Sequence, residues 1–174
     1  FAKPGCKWTT VVASTERIPE LGHLALGKAV SGRPGAVYVD FPGEMAGRKV
    51  DEERVRFRTS QPNVSRPHPD AEAVEQVAEM LAGAERPLLL IGKGAAWADA
   101  GPALTRLADM GIPFVASPMG RGVIDDTHPM LMNAARSAAL AGADAIVMFG
   151  GRFNWIFQFG REPRFAGNVR LAQV

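Results

Sequence analysis

Cysteine is almost missing from this chain, with Cys6 the single one among 174 residues. An internal disulfide and a cysteine-built zinc site are thereby excluded, and a reducing, intracellular compartment suits that usage. Histidine is nearly as scarce: His23, His68 and His128 are scattered, without the spacing of metal ligands. Trp8, Trp97 and Trp155 stand too far apart for a base-stacking platform, so core or interface packing is expected of each. Neither sign of charge dominates. Twenty basic and 18 acidic residues give a net charge of +2 and a pI near 9.0, a small surplus rather than a basic stripe, so nucleic acid is not expected as a partner. Long apolar runs are absent too. Leu88-Leu89-Leu90-Ile91 and Ala145-Ile146-Val147-Met148-Phe149 have the length of buried strands, far short of a membrane span. Phe1-Ala2-Lys3-Pro4-Gly5 has neither the basic start nor the apolar run of a signal peptide, and Arg170-Leu171-Ala172-Gln173-Val174 stops inside a strand pattern. Both ends are expected to be cuts in a longer polypeptide.

What is present is ordinary for a soluble globular protein: 47% hydrophobic and 22% charged residues. A helical pattern opens at Ile18-Pro19 and ends at Ser31-Gly32-Arg33-Pro34-Gly35. Ala36-Val37-Tyr38-Val39-Asp40-Phe41 then predicts a strand, closed by Pro42-Gly43. Residues 1–43 are expected to finish one α/β layer, and 44–68 to be a linker, first charged and then turn-rich around Pro62, Pro67, His68 and Pro69. From residue 69 the pattern is regular. Asp70 caps a helix with Val74, Val77, Ala78 and Leu81 on one face. Strands are expected at 87–91, 112–116, 144–149 and 168–174, with helices before Gly111 and at 133–141. Such alternation predicts a three-layer α/β fold, a parallel sheet with helices on both faces.

Ligands of an open parallel sheet bind beyond the carboxyl ends of its strands. Three glycine turns are expected there: Gly92-Lys93-Gly94, Gly120-Arg121-Gly122 and Gly150-Gly151-Arg152. Each joins small residues, which let a ligand approach backbone N–H groups, to a cation, a combination suited to phosphate. A glycine after a strand is also often only a tight turn. A dinucleotide fingerprint is not met: Trp97 stands where the third small residue belongs, and Ala116-Ser117-Pro118 supplies no acidic residue for a ribose. His128 is read as a turn residue rather than a base, Asp125-Asp126 as solvated loop acids, and Cys6 as incidental. Arg136 fits either an ordinary helix surface or a phosphate contact.

Gly32-Arg33-Pro34-Gly35-Ala36-Val37-Tyr38-Val39-Asp40-Phe41-Pro42 resembles the segment closing the pyrimidine-binding domain of thiamine-diphosphate enzymes. Three further segments resemble the central domain of the 2-hydroxyacyl-CoA lyase and oxalyl-CoA decarboxylase branch: residues 87–96, Pro118-Met119-Gly120-Arg121-Gly122-Val123, and Asn133-Ala134-Ala135-Arg136-Ser137. Phe149-Gly150-Gly151-Arg152-Phe153-Asn154-Trp155 points to the same branch. The resemblance implies a carbon–carbon lyase that uses thiamine diphosphate and magnesium, cleaves 2-hydroxyacyl-CoA to formyl-CoA and an aldehyde, and works as a homodimer or homotetramer. A cytoplasmic setting in bacteria, or a peroxisomal one as in some relatives, goes with it. The activating glutamate and the magnesium motif are expected outside residues 1–174, so this piece alone is expected to be inactive. It would hold CoA or its ADP half, with Met119, Gly120, Arg121, Gly122, Val123 and Arg136 on the substrate. Gly92, Lys93, Gly94, Gly150, Gly151, Arg152 and Asn154 would line the cofactor edge. Arg121 stands where some relatives have Lys, which keeps the charge and changes its geometry. An oxalyl-CoA decarboxylase releasing carbon dioxide, an acetolactate-synthase-like enzyme with flavin at this edge, and a nucleotide-binding module without catalysis are the alternatives.

Overall fold

The structure, a computed structural model, describes residues 2–60 and 68–174. Two compact units, Phe1–Pro67 and His68–Val174, make up the chain. Pro62 and Pro67, assigned above to a turn-rich linker, lie outside the described residues.

In the first unit β1 (Trp8–Val11) and β2 (Val37–Asp40) pair in parallel, Trp8 opposite Val37, with α1 (Ile18–Val30) as the crossover between them. Pro19 sits in the first turn of α1, where its missing N–H costs no helical bond. β1 was not anticipated, because Thr9 and Thr10 break any apolar run in four residues. Val12, Leu21 and Met45 form the core of this unit. Met45 lies on α2 (Gly43–Ala46), so the first residues assigned above to the linker pack as part of this unit.

The second unit is a four-stranded parallel sheet in the order β4-β3-β5-β6, formed by β3 (Pro87–Ile91), β4 (Phe114–Ala116), β5 (Ala145–Phe149) and β6 (Arg170–Gln173). Its helices are α3 (Ala71–Ala82), α4 (Lys93–Trp97), α5 (Gly101–Asp109) and α6 (Arg136–Gly142). Asp70 caps α3 as expected, its side chain accepting from Ala73 N at 3.0 Å. The strand alternation sorts two cores. Leu88, Leu90, Val115, Ile146 and Met148 face one side, with Leu140 of α6. Leu89, Ile91 and Phe114 face the other, with Ala95 of α4 and Leu104 and Ala108 of α5. The fold is therefore the α/β sheet with helices on both faces that the alternation predicts.

Boundaries differ for physical reasons. β4 begins at Phe114 rather than 112, since Pro113 has no N–H to give the ladder. The helix expected from Asn133 begins at Arg136, because the Asn133 side chain is engaged elsewhere: its Oδ1 accepts from Ala116 N at 2.8 Å and ties the loop to the end of β4. Gly92-Lys93-Gly94 is more than a turn: Gly92 is the N-cap of α4.

Candidate functional site

β3, β4 and β5 run parallel, so the turns that follow them share the carboxyl rim of the sheet. The three glycine turns interlock there. A Cβ on Gly92 would lie 2.5 Å from Gly150 O, one on Gly94 2.7 Å from Gly150 Cα, and one on Gly120 2.2 Å from Ile91 O. Gly150, at φ 64, would put a Cβ 2.0 Å from Ala95 N. These glycines permit main chain to touch main chain, which no other residue allows at such distances.

The close approach also engages the amides that were expected to be free. Gly92 N donates to Phe149 O at 2.8 Å, Gly94 N to Gly150 O at 2.7 Å, Gly150 N to Val174 O at 2.9 Å and Gly120 N to Ser117 O at 2.9 Å. The picture of exposed N–H groups at these four residues is corrected. They build the rim and have no donor to spare for a ligand. Gly151 is likewise crowded, its Cβ direction meeting Met148 Sδ at 2.3 Å. Lys93 and Arg152 are exposed at the rim. Asn154 is turned to its own chain, with Oδ1 accepting from Ile156 N at 3.1 Å.

The loop after β4 carries Met119, exposed, then Gly120, Arg121, Gly122 and Val123. Arg121 is not free. Asp126 Oδ2 accepts from its Nε at 2.9 Å and from its Nη2 at 2.7 Å, which raises the guanidinium pKa further. Asp125 accepts from Thr127 N at 2.8 Å and Oγ1 at 2.7 Å, and these bonds hold its carboxyl below the usual range. Both acids, expected merely to face solvent, thus shape the loop. His128 is structural, as the sequence suggested: its Nδ1 accepts from Met130 N at 3.1 Å, Nε2 faces Asp109 Oδ1 at 3.1 Å, and the ring packs edge-on against Phe114.

Arg136 stands in a different environment. Its Nε and Nη2, the donor edge that pairs with a carboxylate or phosphate, are buried without a hydrogen-bond partner among the described residues. Its Cζ lies 4.9 Å from the centroid of the Phe157 ring. Desolvation, with a smaller contribution from Arg164, lowers its pKa. Arg164, which sequence reasoning passed over, is itself anchored by Nη1 donating to Ile156 O at 2.8 Å. No spacing in the sequence links these two arginines; the turn after β5 brings them together. Arg136 is thus half-buried at the start of α6. Trp97 and Trp155 are exposed, so of the core or interface packing expected of them the core role is not met. Among the described residues no group of three His, Cys, Asp or Glu side chains could hold a metal ion, and no helix is long and apolar enough to cross a membrane.

The family model of the thiamine pyrophosphate enzyme central domain matches residues 74–174. 2-Hydroxyacyl-CoA lyase 1 of Homo sapiens is 40% identical over 171 residues, covering 97% of this chain and 29% of the human protein. Oxalyl-CoA decarboxylase of Escherichia coli (strain K12) is 37% identical over 178 residues, covering 99% of this chain and 31% of that protein. The chain thus spans under a third of the length of these relatives. The solved structure of benzoylformate decarboxylase from Polynucleobacter necessarius matches with a TM-score of 0.74 at 22% identity, over 98% of this chain and 33% of that one, a likeness of fold. With the parallel sheet and a family match over most of the chain in agreement, the chain belongs to the thiamine pyrophosphate enzyme family, whose central domain it carries in residues 74–174.

Proposed function

We propose that this chain is the central part of a thiamine-diphosphate-dependent carbon–carbon lyase acting on 2-hydroxyacyl-CoA, and that its second unit seats the ADP half of CoA. The carrying observation is Arg136. A half-buried guanidinium whose Nε and Nη2 are buried and unpaired among the described residues, beside a second cation, is costly by itself and favourable for a phosphate. Arg121, in the loop after β4, is the second cation we assign to CoA.

Thiamine diphosphate, when bound, would supply the carbanion that attacks the acyl group and stabilises the product of bond cleavage. The described residues do not fit its magnesium, for lack of a carboxylate set, so no chemical step is assigned to them. Their part is to bind and orient the CoA end. Assembly as a homodimer or homotetramer belongs to the same proposal.

Two measurements test this reading. The intact enzyme, given thiamine diphosphate, magnesium and a 2-hydroxyacyl-CoA, is expected to release formyl-CoA and an aldehyde. Carbon dioxide from oxalyl-CoA instead would favour decarboxylation, the activity named for the Escherichia coli relative. Arg136→Ala is expected to weaken ADP and CoA binding about ten-fold or more in calorimetric titration, the loss of one charge-assisted pair. Unchanged affinity would remove Arg136 from the site.

A further inference from the structure

The two arginines differ in one respect that bears on how the site selects its ligand. Arg136 presents its Nε and Nη2 edge with no partner, whereas the same edge of Arg121 is already occupied by Asp126 Oδ2, at 2.9 and 2.7 Å. We propose that Asp126 is a built-in competitor for the anion that Arg121 receives, and so sets the affinity of this loop for phosphate-bearing ligands. The proposal rests on the CoA reading given above.

The loop is built for such an exchange. Its first half is pinned, because Gly120 is wedged against Ile91 O and donates to Ser117 O. Beside Arg121 there is room: Gly122, at φ 79, has nothing within 4 Å of its Cβ direction, while Val123 and Ile124 after it pack against the core. Of the two adjacent carboxylates, Asp125 is held by Thr127, while Asp126 pairs with Arg121 alone among the described residues. The pair is solvent-accessible, with the Arg121 side chain 54% and the Asp126 side chain 36% exposed, so an incoming group can reach it. A phosphate offers the guanidinium more charge and more acceptor oxygens than one carboxylate oxygen, and its own charge repels Asp126. A ligand without phosphate has no such lever. Asp126 is therefore a positioning residue that lowers affinity for every anion and leaves uncharged ligands unaffected.

The test uses the intact protein with CoA as probe and adenosine as the phosphate-free control. Asp126→Asn is expected to tighten CoA binding by about two- to five-fold, the worth of an exposed ion pair. Adenosine affinity and melting temperature should stay unchanged, and Asp126→Glu, which keeps the carboxylate, should bind as the parent does. In an Arg121→Ala background the gain should vanish, since the competition needs both partners. If Arg121→Ala weakens CoA binding but Asp126→Asn leaves it unchanged or weaker, the competitor is overturned and the CoA reading stands. If Arg121→Ala binds as the parent does, Arg121 falls from the CoA site and the competitor with it. A gain that persists without Arg121 reflects general charge only and also overturns the proposal.

Discussion

At Arg136, burial and charge oppose each other. An orphaned buried donor costs about 1–3 kcal/mol, and Arg136 carries two, against about 2 kcal/mol returned by a desolvated contact with Phe157. Arg136→Met is therefore expected to raise the thermal midpoint of the ligand-free protein while weakening ADP binding, a split that a purely structural arginine would not give. Differential scanning calorimetry with and without ADP reads both. Asp144 shows the opposite case, a carboxylate with a backbone donor on each oxygen. Its oxygens accept from Glu85 N and Arg86 N, each at 2.9 Å, and these bonds hold its pKa below the ordinary carboxylate value. Because the native pKa is depressed, its stabilisation is fully present above about pH 4, the unfolded carboxylate range, and fades as pH falls through the native value. Asp144→Asn should flatten the acid side of the melting-temperature profile and leave its neutral region lower. The arginine–phosphate theme could be read from residue types, but the orphaned edge of Arg136 could not. It depends on Phe157 and Arg164, which reach it only through the turn after β5.

Between elements, the glycine turns determine how closely β3, β4 and β5 can end together. Gly120→Ala would drive a methyl into the Ile91 carbonyl at 2.2 Å, where neither main chain can yield, and a loss of at least about 2 kcal/mol is expected. Gly122→Ala has open space and meets only its left-handed backbone at φ 79, so about 1 kcal/mol is expected. Urea midpoints of the two variants compare them directly, and equal losses would contradict the interlock. The positions of these turns were legible because glycine follows each apolar strand. Their use was not. A free amide and one donating to the next turn look alike in sequence, and Gly94 next to Gly92 disguised the start of α4, since glycine is a poor helix former.

Across the whole molecule the two units differ in what holds them. The sheet of the second unit is sandwiched between two clusters of fully buried side chains, whereas the first unit buries Val12, Leu21 and Met45. Amide exchange should be slowest in β3 and β5, both paired on two sides, and markedly faster in β1 and β2. Comparable protection in both units would contradict this. The sequence alone determined the parallel α/β layers, since strand-length apolar runs alternating with amphipathic helices admit few other packings. It also pointed to the family, through segments whose order survives along the chain. Only the tertiary structure decided which donors are free. Hydrogen bonding at the rim is settled by contacts that residue types do not reveal: turns far apart in sequence took up the amides of Gly92, Gly94 and Gly150, Asp126 within the same loop paired with Arg121, and Arg136 was left with a buried edge that has no partner among the described residues.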